Sequence, residues 1–92
     1  MLSITFTTQF KKDIKLMEKR GKNLDKLFAV IQLLQNETPL PSNYKDHMLV
    51  GNFKGFHECH IEPDWLLIYK IYQNELILSL TRTGSHSDLL RK

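Results

Sequence analysis

One cysteine, one tryptophan, three prolines and four glycines in 92 residues leave several protein classes without support. A lone Cys59 cannot form an internal disulfide, which excludes a cystine-stapled secreted scaffold and fits a reducing cytoplasm. The longest apolar runs, Leu27–Leu34 (broken by Gln32) and Trp65–Tyr69, fall far short of the ~18–20 residues of a membrane span. Met1-Leu-Ser-Ile-Thr-Phe6 lacks the basic region, apolar core and small-residue cleavage site of a secretory signal. No His-Glu-x-x-His, His-x-His or cysteine pair is present, so neither a metal nor any other cofactor is expected. No Gly-x-Ser-x-Gly elbow occurs, and Gly51-Asn-Phe-Lys-Gly55 is too sparse for a phosphate loop and precedes no helix.

What remains is the composition of one soluble globular domain over residues 1–92. A chain this short buries only about 60% of its unfolded surface, so its stability is modest. The net charge is +3, and its distribution is uneven. Lys11, Lys12, Lys15, Lys19, Arg20, Lys22 and Lys26 crowd one segment against Asp13, Glu18 and Asp25. This balance favours an anionic partner, nucleic acid or acidic protein, with a solvated helix face as the plainer alternative.

Local patterning predicts an α+β fold. Ile4 and Phe6 alternate with Ser3 and Thr5, which reads as a strand. Thr7 or Thr8 can cap a helix whose apolar face is Phe10, Ile14 and Met17, and Gly21 stops it. Asn23 caps a second helix with the stripe Leu24, Leu27, Phe28, Ile31 and Leu34, thickened by Val30 and Leu33 and ended by Pro39 and Pro41. Residues 42–55 read as a loop or a short strand with turns. Strands follow at Phe56–Ile61, Trp65–Tyr72 and Leu76–Arg82, joined by the Glu62-Pro63-Asp64 turn and a two-residue Gln73-Asn74 connection. Ser85–Lys92 is a loop or helical turn. The expected architecture is a two-helix antiparallel hairpin on one face of a mainly antiparallel sheet, with the other face open to carry a site.

Strand alternation assigns the candidates to faces. Glu58 and His60 point one way; His57, Cys59 and Ile61 point the other, leaving His57 as a rim residue. His57 and His60 therefore cannot share one ion. His47, His60, Asp64 and His86 are scattered along the chain but sit where a meander can gather them. Such a set suits metal-free RNA cleavage, in which the 2′-hydroxyl attacks its neighbouring phosphate. One group accepts the 2′ proton, a second protonates the leaving 5′ oxygen, and a third holds the charge of the five-coordinate phosphate. Histidine suits the first two, with an unperturbed pKa of about 6.5. Arg82, Lys54 or a protonated histidine can meet the third. Trp65 offers either a stacking face for a base or, since it opens an apolar strand, a core anchor; the residues alone favour the core.

Tyr44-Lys-Asp-His47, Gly51-x-Phe-Lys-Gly55, His60-Ile-Glu-Pro-Asp-Trp65 with Leu67-Ile-Tyr-Lys70, and Arg82-Thr-Gly-Ser-His86 together resemble the YafQ branch of the RelE/ParE toxin superfamily. The resemblance spans essentially the whole chain. It implies a bacterial, cytoplasmic mRNA interferase, the toxin of a type II toxin–antitoxin pair, acting on messenger in the ribosomal A site and favouring adenine-rich codons. It carries site roles to His47, His60, Asp64, Trp65 and His86, and places Leu90 where the family uses an aromatic. It further implies a DinJ-like ribbon-helix-helix antitoxin as partner, operator DNA bound only through that complex, and no membrane. Within this reading His86 is the general acid, Asp64 or His60 the base, and His47 the holder of phosphate charge. The superfamily also hosts gyrase poisons, so a non-catalytic toxin or binding module is the alternative, and a metal-dependent hydrolase a third.

Overall fold

A computed structural model describes residues 1–90, with the side chain of Leu90 excepted. Thr7 begins the first helix as expected: its Oγ1 accepts the Phe10 N–H at 2.9 Å and donates to the Thr81 carbonyl at 2.7 Å, so one hydroxyl caps the helix and ties it to the sheet. Helix α1 (Thr8–Lys19) stops at Arg20. There the Lys22 N–H reaches the Met17 carbonyl and the Gly21 N–H reaches that of Glu18, a Schellman closure that needs the left-handed φ of +80° at Gly21. Asn23 caps α2 (Leu24–Gln35) through the Asp25 N–H. The second helix ends before the prolines expected to stop it. It closes on Glu37, held at φ +57° while the Thr38 N–H bonds the Leu33 carbonyl.

The strands are β1 (Ser3–Phe6), β2 (His47–Met48), β3 (His57–Glu62), β4 (Trp65–Tyr72) and β5 (Ile77–Gly84), in the order β1-β5-β4-β3-β2. Only the β1–β5 pair is parallel. The β4–β5 connection is four residues, 73–76, rather than two, because Leu76 turns the chain in a left-handed conformation at φ +55° before pairing resumes at Tyr72 and Ile77. Helix α3 (His86–Leu90) follows β5 directly. None of the helices described is long and apolar enough to cross a membrane.

The two long helices bury Phe10, Met17, Leu27, Val30, Ile31 and Leu34 against Cys59, Trp65, Leu67, Tyr69, Leu78 and Leu80 of the sheet. Phe28, expected in this stripe, is 48% exposed: it lies on the flank that the sheet does not reach. The opposite sheet face is also less open than expected. Leu66 and Ile68 are fully buried there, beneath Leu89 of α3 and the flanking Leu49 and Phe56. Burial of the Cys59 thiol pushes its pKa up to about 12, consistent with a packing role.

One core residue breaks the apolar pattern of α1. Strand β1 ends at Phe6, opposite Leu80, so the outer edge of residues 81–84 has no strand beside it. Asp13, only 5% exposed, fills the gap. Its Oδ2 accepts the Thr83 N–H at 3.1 Å, and both carboxylate oxygens take the Arg82 guanidinium, Nε at 2.7 Å and Nη2 at 3.2 Å. The carboxylate thus satisfies a strand N–H that would otherwise be buried unpaired. Asp13→Ala removes these three bonds and a fourth, from Gln9 Nε2 to Oδ1 at 3.1 Å, and we expect a loss of about 2–3 kcal/mol, read as a lower urea midpoint at unchanged slope.

Candidate active site

The β2–β3 register sets His47 directly opposite Glu58, and alternation along β3 puts Glu58 and His60 on the same face. His47 Nδ1 donates to the Lys45 carbonyl at 2.8 Å, which turns Nε2 toward the Glu58 carboxylate, 3.5 Å from Oε1. His60 Nε2 faces the same oxygen at 3.9 Å. Glu58 is 4% exposed, and its buried Oε2 has no hydrogen-bond partner among the described residues. One buried carboxylate therefore lies between two imidazoles.

The chain of groups continues on the far side of His60. Its ring meets that of His86 edge to face, with centroids 5.6 Å apart. The turn between β3 and β4 delivers Asp64, whose Oδ1 accepts two bonds from one residue: the His86 backbone N–H at 2.9 Å and its Nδ1 at 2.6 Å. Those bonds, the backbone one first, hold the Asp64 carboxyl below the usual carboxylate range. A carboxylate against Nδ1 requires the proton on that nitrogen, so Nε2 is the ring position left for chemistry. Asp64 and His86 side chains are 70% and 49% exposed, open to a large substrate. A cleft of about 310 Å³ beside His60 is lined by Asn43, Lys45, His60, Ile61, Glu62 and Pro63.

His86 stands on a five-residue helix, too short to hold itself. Ser85 and Asp88 form a capping box: Asp88 Oδ2 accepts the Ser85 N–H at 2.9 Å, and Ser85 Oγ accepts the Asp88 N–H at 3.2 Å. Arg20, at the end of α1, grips the same carboxylate with bonds of 2.6 and 3.1 Å. The approach is so close that a Cβ at position 84 would lie 2.9 Å from Asp88 Oδ2, which explains Gly84. The Arg20 guanidinium holds the Asp88 carboxyl far below its ordinary range.

His47, His60, Asp64 and His86, expected to share a site, do come together. Glu58 belongs with them: alternation along β3 puts it on their face, and the cross-strand register with His47 draws it into the site. Three expected substrate contacts are corrected or displaced. Trp65 is fully buried on the helix side, its Nε1 donating to Thr83 Oγ1 at 2.9 Å, so it has no face for a base. Arg82 is spent on Asp13 and anchors β5 to α1. Lys54 is exposed after a 3-10 turn over Gly51–Phe53 and makes no polar contact with the histidine chain among the described residues. The Leu90 side chain, expected at the site, lies outside the described part. His57 faces the helix side, stacked on Tyr69.

A small α+β domain with this histidine–carboxylate chain has the form of a bacterial toxin of a type II toxin–antitoxin system. The family model described as "Bacterial toxin of type II toxin-antitoxin system, YafQ" matches residues 2–91, and the chain belongs to that family. It is 47% identical over 87 residues to the mRNA interferase toxin YafQ of Escherichia coli K12, covering 94% of this chain and 92% of that one. Among solved structures, a metal-bound toxin from Helicobacter pylori superposes with a TM-score of 0.91 at 47% identity, covering 97% of this chain and 99% of that one. A chain of the Escherichia coli DinJ–YafQ complex superposes with a TM-score of 0.87 at 44% identity, covering 97% and 98%. Among the described residues here, no three His, Cys, Asp or Glu side chains are grouped as a metal would need.

The depressed carboxyls make the site sensitive to acid. A carboxyl whose folded pKa lies below its unfolded value of about 3.9 contributes stability that is full above that value and is lost as pH falls. Asp88, Asp64 and Glu62 all have this sign. We expect the urea midpoint to fall as the pH drops below about 4, and Asp88→Asn to flatten that fall while lowering the midpoint at pH 7.

Proposed function

We propose that this chain is an mRNA interferase, an endoribonuclease that cuts messenger by metal-free attack of a 2′-hydroxyl on its own phosphate. The observation that carries the reading is the pair of hydrogen bonds that His86 donates to Asp64 Oδ1, from its backbone N–H and its Nδ1, with the His60 ring 5.6 Å from that of His86. His60 takes the 2′ proton as base. The 2′ oxygen bonds to phosphorus, the bond to the 5′ oxygen breaks, and His86 Nε2 delivers a proton to that oxygen. The products are a 2′,3′-cyclic phosphate and a free 5′-hydroxyl. Asp64 orients His86 and opposes the ring's positive charge. Its Oδ1 is already engaged twice and its carboxyl sits below the usual range, so it is a poor proton acceptor and the base role falls to His60. His47 supplies charge to the phosphate.

The same reading takes messenger on the ribosome as substrate, at adenine-rich codons. Support comes from the exposed Lys11, Lys12, Lys15 and Lys19 on α1, which make no ion pair among the described residues while Lys22 and Lys26 are drawn to Glu62. The partner is a DinJ-like ribbon-helix-helix antitoxin, and operator DNA is met only through that complex. The cell compartment is the bacterial cytoplasm.

In single-turnover cleavage of messenger on programmed ribosomes, His86→Ala should cost at least about 10²-fold with the fold unchanged, and chelator should leave the wild-type rate untouched. A folded His86→Ala protein with full activity would overturn the reading. Loss of activity with chelator would point instead to a metal-dependent hydrolase.

A further inference from the structure

A second cluster of polar groups lies on the helix-side face, away from the histidine chain. The Tyr69 hydroxyl donates toward Asp46, with 2.8 Å to each carboxylate oxygen. His57 Nδ1 approaches Asp46 Oδ1 at 3.5 Å, and its ring stacks on Tyr69 with centroids 5.2 Å apart. Tyr69 is 1% exposed and part of the main core, so its hydroxyl is a fixed point. Asp46 is the opposite, a residue of the long connection between α2 and β2. Burial and the Asp46 charge together push the Tyr69 hydroxyl pKa well up, so it remains a donor at any ordinary pH.

What makes the clamp consequential is the next residue. Asp46 immediately precedes His47, and alternation sends the two side chains to opposite faces of the sheet. His47 has little else to hold it. Strand β2 has only two residues, the His47 side chain is 51% exposed, and its one hydrogen bond among the described residues goes to Lys45 two positions away. We infer that Asp46, held by the Tyr69 hydroxyl on the helix side with the His57 ring beside it, is a positioning residue that sets His47 against Glu58 on the other face. The anchor sits in the core, the reacting group sits in the site, and one peptide unit joins them. The expected effect on cleavage rests on the proposed role of His47; the effect on its placement does not.

The test uses Tyr69→Phe, which removes one oxygen and keeps the buried ring, with Asp46→Ala and Asp46→Asn beside it. In imidazole NMR spectra of the full chain, Tyr69→Phe and Asp46→Ala should shift and broaden the His47 signals and leave those of His60 and His86 in place. Asp46→Asn keeps an oxygen that accepts the tyrosine hydroxyl, and should restore the wild-type His47 signals. On programmed ribosomes both damaging variants should lower the single-turnover rate about 10- to 100-fold at unchanged KM, and neither should cost anything further in a His47→Ala background. Unmoved His47 signals in both variants would overturn the inference, as would an undiminished penalty in the His47→Ala background. Displaced His47 signals with full cleavage would uphold the positioning and sink the proposed role of His47.

Discussion

Strand β4 is apolar on both of its faces, and that constraint assembles the site. Trp65, Leu67 and Tyr69 face the helices, while Leu66 and Ile68 face the other way and are equally buried. Each fully buried leucine or isoleucine is worth roughly 1.5–3 kcal/mol, so the second face must find cover. No long helix supplies it. The cover comes from Leu49 and Phe56 on one side and Leu89 on the other. Leu49 lies two residues after His47, and Leu89 three after His86. Burying a small apolar cluster thus draws two distant histidines to the face where His60 already stands.

Hydrophobic cover brings segments close but does not orient a ring, and here the polar contacts take over. Asp64 sits at the tip of a turn fixed by the β3–β4 hairpin, and its Oδ1 locks both the backbone and the imidazole of His86. The Ser85–Asp88 capping box and Arg20 secure the helix from its other side. Arg20 in turn sits at the C-cap that Gly21 closes, so the position of the proposed acid depends on where α1 ends. Asp13 plays the same part earlier in α1, holding β5 in line just before it leads into Gly84 and α3.

The elements set by local chemistry were legible in the sequence. Thr7, Gly21 and Asn23 act through bonds to their near neighbours, and the β3–β4–β5 meander follows from short turns. Features set across the sheet were harder to see. Asp13 is at the apolar position of a helix because a strand ends early beside it, which no window of α1 reveals. Glu37 and Leu76 adopt left-handed conformations without being glycine, so the α2 stop and the length of the β4–β5 turn carry no composition signal. The Trp65 discrepancy is instructive for a different reason. Apolar neighbours on an opening strand pointed inward, and that local reading matches its burial, whereas the family pattern pointed outward. The histidine set needed the global pairing. Alternation assigns faces along β3 alone, and only the β2–β3 register shows Glu58 lying between His47 and His60.

Glu58 constrains how charge is shared in the proposed reaction. A buried carboxylate with one unpartnered oxygen is costly unless a cation stands beside it. It also repels an incoming phosphate unless balanced. His60, as base, must enter the reaction without its second proton, so it cannot be the counter-charge. His47 can. Its Nδ1 already donates to the Lys45 carbonyl, and a proton on Nε2 would point at Glu58, at 3.5 Å the nearer of the two rings. A doubly protonated His47 therefore has an acceptor at each nitrogen. On this argument the histidines of the proposed reaction divide their work by partner: a backbone carbonyl and a buried glutamate give both His47 nitrogens an acceptor, while Asp64 holds His86 at Nδ1 and leaves its Nε2 facing the substrate.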